Sequence, residues 1–263
     1  MKPFYQFPKS ARKKIRFILS DIDDTLTLKG RLPAVAFSAM ERLQTTGIAV
    51  VPITGRPAGW CDHIARMWPV DAVVGENGAF YFRYDEQQRK MQRRYWRSEA
   101  QRKKDRGKLE KIKSAILEKV PGSGVAADQA YREADLAIDY CEDVPPLEME
   151  QVAKIVHCFK QAGAQAKISS IHVNGWFGDY DKRAMAKRLF EEVFETDMER
   201  DKKQILFIGD SPNDIPMFKY FPHSVAVANI LRFENIIDTK PAWVTEKEGG
   251  YGFAEMVEIL LSK

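Results

Sequence analysis

The sequence predicts an α/β protein, a doubly wound parallel sheet with an inserted α+β cap, on three observations. Apolar runs at Ile15–Leu19, Ile48–Ile53 and Gln204–Ile208 read as strands buried on both faces, because their side chains run together instead of alternating. Each run ends abruptly in a polar cluster, and stretches with apolar residues at helical spacing separate them, as right-handed strand-helix-strand crossovers require. In open parallel sheets ligands bind beyond the carboxyl ends of the strands, so these clusters fall where chemistry is expected.

In chain order, the first run leads into Asp21-Ile-Asp23-Asp24-Thr25. Read alone, it could be a strand that simply stops in an acidic turn. Residues Pro33 to Thr46 carry Val35, Phe37, Met40 and Leu43 at helical spacing and stop at Gly47, a suitable C-cap. The second run ends in Thr54-Gly55-Arg56-Pro57. A helix with Trp60, Ile64, Met67 and Trp68 as its apolar stripe is expected next, with Cys61 and His63 as packing or surface residues. Asp71–Val74 reads as a third strand, and the turn Gly75-Glu-Asn-Gly78 leads into an aromatic strand.

The pattern changes at Arg83. Residues 89 to 113 hold twelve Lys or Arg against three Asp or Glu, a solvated helix face or a positive surface that attracts anionic substrates. Apolar residues at helical spacing occur only near its end, at Leu109, Ile112, Ile116 and Leu117. After the break at Pro121–Gly124 come a strand at Ala134–Tyr140, a helix opened by Pro145-Pro146 and running to Gly163, and a strand pair or one long strand from Ala166 to Phe177. Residues 83 to 178 are therefore assigned to a separate α+β cap, and 1 to 82 with 179 to 263 to the core. From Lys182 the first pattern resumes: a helix, then the third run and its cluster Gly209-Asp-Ser-Pro-Asn213-Asp214, short outer strands at Val225–Ala228 and Ala242–Thr245, and a closing helix from Tyr251 to Leu261.

The 263 residues are 44% hydrophobic and 30% charged with a net charge of +4, too small an excess to argue for a nucleic-acid protein. Cys61, Cys141 and Cys158 are odd in number and lack a C-x-x-C pair, so reduced thiols and a cytoplasmic location are expected. The apolar run near the N-terminus is too short for a signal peptide or membrane helix, so no membrane partner is expected. Asp21, Asp23, Asp210 and Asp214 converge from separate strands. Clustered carboxylates repel unless a cation intervenes, and hard oxygen ligands of this kind suit Mg²⁺.

Asp21-Ile-Asp23-Asp-Thr25, Thr54 after its strand, Lys182, and Gly209-Asp-Ser-Pro-Asn213-Asp214 resemble the four motifs of the haloacid dehalogenase superfamily. The position of the insertion, after the Asn77-Gly78 strand, resembles the C2 cap of subfamily IIB, with its Cof-like, sucrose-phosphate and mannosyl-3-phosphoglycerate phosphatases. The resemblance implies a Rossmann-like core and a phosphatase of small phosphorylated metabolites, among which a sugar phosphate or related polyol acid is expected. It implies Asp21 as nucleophile, Asp23 as general acid and base, and Thr54 and Lys182 as holders of the phosphoryl oxygens. It also implies Mg²⁺ at Asp21, the Asp23 carbonyl and Asp210, with Asn213 and Asp214 in or near the surrounding layer. Gly55 and Arg56 would join the substrate site. Asp24 departs from the family, which often has Gly there. A phosphomutase of the phosphomannomutase type shares the motifs, and a nucleic-acid module would rest on residues 89–113 alone. Alternation over Ser170–Trp176 places Ser170, His172, Asn174 and Trp176 on one face, toward the acidic loops, so Asn174 is expected to touch substrate, while Ile171, Val173 and Phe177 face the cap helices.

Overall fold

The computed structural model describes residues 1–169 and 171–262, so Ser170 lies outside the described residues. The core is built from β1 (Lys2–Pro3), a single turn α1 (Lys9–Arg12), β2 (Phe17–Ser20), α2 (Ala34–Thr45), β3 (Ala49–Pro52), α3 (Ala58–Met67), β4 (Val73–Gly75), β5 (Phe80–Asp85) and β6 (Lys90–Tyr95). The cap follows with α4 (Glu99–Lys119), β7 (Gly124–Val125), β8 (Asp135–Asp139), α5 (Met149–Gln161), β9 (Gln165–Ile168) and β10 (His172–Trp176). The chain then returns to the core through α6 (Lys182–Val193), β11 (Ile205–Gly209), α7 (Ile215–Tyr220), β12 (His223–Ala226), β13 (Trp243–Val244) and α8 (Gly249–Leu261). No described helix is long and apolar enough to cross a membrane.

The main sheet has six strands in the order β1-β13-β12-β11-β2-β3, all parallel. Both faces are covered, which is why β2 and β11 are buried along their whole length. Ile18, Val50 and Leu206 pack toward α2, α3 and α8, whereas Phe17, Leu19, Val51 and Phe207 pack toward α6 and α7. From β2 the chain moves outward to β3 and later returns to β11 on the other side. The connections therefore diverge between β2 and β11, and a crevice opens there at the carboxyl ends.

Three local expectations change. Helix α3 buries Ala58, Cys61, Ile64 and Ala65, while Trp60 and Met67 are 45% and 63% exposed. The helix lies so close to β4 that a Cβ on Gly75 would sit 2.6 Å from Cys61 Sγ, so beside Ile64 the face toward the sheet is made of small side chains, and Trp60 and Met67 face out. The basic stretch divides as well. Its first part is β6, antiparallel to β5, and α4 starts only after the capping box of Ser98 and Gln101. Residue 83 lies inside β5, and Phe80, Phe82, Met91 and Tyr95 all belong to the core's apolar cluster. We therefore place the start of the cap after Tyr95.

In the cap, an antiparallel sheet of order β7-β8-β10-β9 carries α4 and α5 on one face. Leu136, Ile138 and Val173 meet Val152, Ile155 and Phe159 there. Alternation turns Asp135, Lys167, His172 and Asn174 to the opposite face, with Asn174 directly across from Lys167. Lys167, His172 and Asn174 line the cavity between cap and core.

Gly78 links the core turn to the helix of Lys182. Glu76, Asn77 and Gly78 all have positive φ, at 41°, 57° and 106°, and a Cβ on Gly78 would lie 2.2 Å from Asp181 O and 2.9 Å from Lys182 N. Gly78→Ala should therefore destabilise the protein by about 2 kcal/mol or more and push the start of α6 away. Calorimetry should show a Tm lower by roughly 4–8 °C; an unchanged Tm would mean that the turn does not bear on α6.

Candidate active site

Asp21 follows the last residue of β2, and Asp210 follows the last residue of β11. The Asp21 N–H donates to Ile208 O at 3.0 Å, which extends the ladder into the loop and fixes where the carboxylate starts. Asp214 lies one turn beyond Asp210, and its Oδ2 accepts from the Asp210 N–H at 3.1 Å. That approach depends on Gly209, where a Cβ would meet Asp214 Oδ2 at 2.4 Å. Carboxylate oxygens of Asp21, Asp210 and Asp214 come within 4.8 Å of one another.

Lys182 answers this charge. It is the first residue of α6, whose N-cap Asp181 accepts from Ala184 N at 2.7 Å. A cation is disfavoured at a helix N-terminus, and its position is explained by its partners: Nζ lies 2.5 Å from Asp21 Oδ1 and 3.8 Å from Asp214 Oδ1. Burial pulls the Lys182 pKa down, but Asp21 and Asp214 more than reverse that, so the ammonium stays charged. One ammonium does not balance three buried carboxylates. Burial, opposed by Lys182 and reinforced by Asp214 and Asp23, raises Asp21 to about 7. Burial with Asp214, Asp21 and Asp24 raises Asp210 to about 9. Asp214 Oδ1 is buried without a hydrogen-bond partner. An orphaned carboxylate oxygen beside two more hard oxygen donors fits a divalent cation held by Asp21, Asp210 and Asp214.

Asp23 stands at the cavity wall with Arg56. The Arg56 Nε donates to its two oxygens at 2.9 and 3.1 Å, and Nη2 donates to Oδ1 at 2.7 Å. Arg56, expected to meet substrate, thus uses its fork on Asp23 while its other face stacks on Trp60, 4.5 Å from the ring centre. Thr54 is fully buried, and its hydroxyl accepts from the Arg56 N–H at 3.0 Å; Gly55 and Arg56 line the cavity in front of it. Asp24, the departure from Gly, has φ +54°. Its carboxylate supports that left-handed turn by accepting from Lys29 N at 2.9 Å.

The cap closes a cavity of about 800 Å³ over these loops. Asn213 lines it, and its carbonyl accepts from Lys167 Nζ at 3.2 Å. Asn174 Nδ2 donates to Asp135 Oδ2 at 3.0 Å, leaving its oxygen and one N–H for other partners. His172 Nε2 lies 2.9 Å from Glu142 Oε2, and burial holds its pKa below the ordinary imidazole range.

Sequence reasoning missed three residues that join cap to core. Buried Glu76 accepts from the N–H groups of Ala58, Glu133, Ala134 and Asp135 at 2.6–3.1 Å. Arg132 donates to Gly55 O at 3.1 Å while paired with Asp128 and Asp135. Lys167 is the third. The only sequence signal for it was its alternation with Ala166 and Ile168; an acid flanked by turn glycines was the signal for Glu76.

A profile described as haloacid dehalogenase-like hydrolase matches residues 18–111 and 192–232. The chain is 23% identical over 250 residues to a phosphoglycolate phosphatase of Methanoculleus marisnigri, covering 93% of this chain and 96% of the relative. A crystal structure of a Thermoplasma acidophilum protein superposes with a TM-score of 0.70 at 20% identity, over 94% of this chain and 98% of that one. The sucrose-phosphatase of Synechocystis, solved with sucrose and phosphate, gives 0.62 at 15% identity over 94% and 98%. With its motif-bearing strand ends meeting in one crevice and half its length matched by the family profile, the chain belongs to the haloacid dehalogenase-like hydrolases.

Proposed function

We propose that this chain is a Mg²⁺-dependent phosphatase of a small phosphorylated metabolite, a sugar phosphate or related polyol acid, acting through an aspartyl-phosphate on Asp21. The observation that carries the reading is the charge arrangement: Asp21 is ion-paired to Lys182 at 2.5 Å, beside the orphaned oxygen of Asp214. The names of the phosphoglycolate and sucrose phosphatases to which the chain is similar support the same class.

A Mg²⁺ held by Asp21, Asp210 and Asp214 would supply positive charge to the transferring phosphoryl group. Asp21 forms a bond to phosphorus as the ester P–O bond breaks, and Asp23 gives a proton to the departing alcohol. In the second half Asp23 takes a proton from the attacking water, and the acyl phosphate of Asp21 is cleaved to inorganic phosphate. Lys182 stabilises phosphoryl oxygens in both halves. Arg56 holds both Asp23 oxygens as acceptors, so Asp23 carries its proton only when one of these bonds is released, and the cap excludes bulk water. Release of phosphate from a panel of phosphorylated metabolites tests the reading; migration of phosphate without release would instead indicate a mutase.

Asp21→Asn removes the nucleophile but keeps its volume. Turnover should fall below about 1% of wild type with the far-UV spectrum unchanged; a rate near wild type would displace Asp21 from this role.

Raised folded-state pKa values at Asp21 and Asp210, about 7 and about 9, have a defined linkage sign. The metal-free fold binds more protons than the unfolded chain, so its stability falls as pH rises through those values. A divalent cation offsets that loss. The Tm increase from Mg²⁺ should therefore be larger at pH 8.5 than at pH 6, and activity should vanish on chelation and return with Mg²⁺. A Tm increment independent of pH would count against a metal on these carboxylates.

A further inference from the structure

Five Lys or Arg side chains line the cavity: Arg56, Arg132, Lys167, Lys182 and Arg232. Four are paired with carboxylates, Arg56 with Asp23, Arg132 with Asp128 and Asp135, Lys182 with Asp21, and Arg232 with Glu248. Among the described residues, Lys167 alone of the five has no carboxylate within 4.0 Å; its Nζ donates to the carbonyl of Asn213 at 3.2 Å.

Its placement is built into the fold. Lys167 sits on β9 with Ala166 and Ile168 turned into the cap's apolar cluster, so its side chain points to the core. It lies opposite Asn174 in the sheet register. Through Asn213 it stands one residue from Asp214, and so beside the phosphoryl site. Asp214 and Asp21 attract this ammonium from a distance, but no carboxylate touches it, and an anion bound in contact would recover part of the free energy its burial costs. Burial and the neighbouring Lys182 also pull its pKa down to about 8, against the pull of Asp214 and Asp21.

We infer, resting on the phosphatase reading above, that Lys167 receives a second anionic group of the substrate, a carboxylate on the leaving alcohol close to the ester oxygen. The substrate class is then a phosphorylated short hydroxy acid or sugar acid, not the phosphate of a neutral sugar. The neighbouring groups agree with this. Asn174, with one N–H on Asp135, keeps its oxygen and its second N–H for groups beside the carboxylate, and the charge of Arg132 is already paired with Asp128 and Asp135.

The test uses paired probes differing in that one group. With Mg²⁺ present, kcat/KM for 2-phosphoglycolate should exceed that for 2-hydroxyethyl phosphate by roughly ten- to a hundredfold in the wild type. In Lys167→Met the ratio should collapse toward one, and Lys167→Arg should restore part of it. Calorimetric binding of the non-hydrolysable 3-phosphonopropanoate against propylphosphonate should show the same preference and the same dependence on Lys167. A wild-type ratio near one, or a preference that survives Lys167→Met, overturns the inference. Loss of both rates by the same factor overturns it too, since Lys167 would then serve the phosphoryl group itself. Preferential binding without turnover of any ester would keep the anion site and defeat the phosphatase reading.

Discussion

Three carboxylates with oxygens within 4.8 Å of one another repel, and the rest of the structure is arranged around containing that repulsion. Two unit charges 4 Å apart interact by about 4 kcal/mol at an effective dielectric of 20. The parallel strands β2 and β11 bring Asp21 and Asp210 together because their ends are adjacent in register. Gly209 lets Asp214 fold back against the same strand end. Lys182 supplies one compensating charge from the start of α6, and α6 is positioned in turn by the left-handed turn at Glu76–Gly78, which presses on Asp181. The helix start, the strained turn and the missing Cβ atoms are one device, and it leaves room for one further cation.

The cap is joined to that device at the start of β8. Glu76 belongs to the strained turn, and three of its four backbone partners, Glu133, Ala134 and Asp135, are the entry to β8. Four N–H donors on one carboxylate favour its ionised form, while burial and Asp135 favour protonation. The polypeptide that fixes Lys182 therefore also fixes the cap strand carrying Asp135, which in turn holds Asn174 and Arg132. The core crevice and the inner face of the cap share one mechanical support, and Arg132 reinforces it by donating to Gly55 O behind Thr54.

What could be read from the sequence follows from how strongly each feature is dictated locally. The strand runs before Asp21, Thr54 and Asp210 are fully apolar because both faces of the sheet are covered, so they stand out without any knowledge of partners. The polar clusters are short and sit at strand ends, so their convergence followed from topology alone. The stripe on α3 was misread because hydrophobicity ranks Trp60 and Met67 above Ala58 and Ala65, whereas close approach to Gly75 selects small side chains. The core strand β6 was hidden inside a basic run, where Arg93 and Arg94 mask the alternation that places Met91 and Tyr95 against the core. Residues such as Glu76 and Lys167 have partners far away in sequence that are backbone atoms, and backbone atoms leave no signature in composition.

The same contrast explains why the reaction is easier to read than the substrate. Each core group is fixed by something that tolerates little change: a ladder bond for Asp21, an absent Cβ for Asp214, a helix start for Lys182. The inner face of the cap is fixed only by the two-residue alternation of β8, β9 and β10, whose opposite faces are anchored by Leu136, Ile138, Ala166, Ile168 and Val173. Any side chain can stand at position 167 without disturbing that apolar layer, because it points away from it. The inner face of the cap can therefore change in charge and length without loss of its apolar layer, and from that face Lys167 reaches the acidic loop after β11 by donating to Asn213 O.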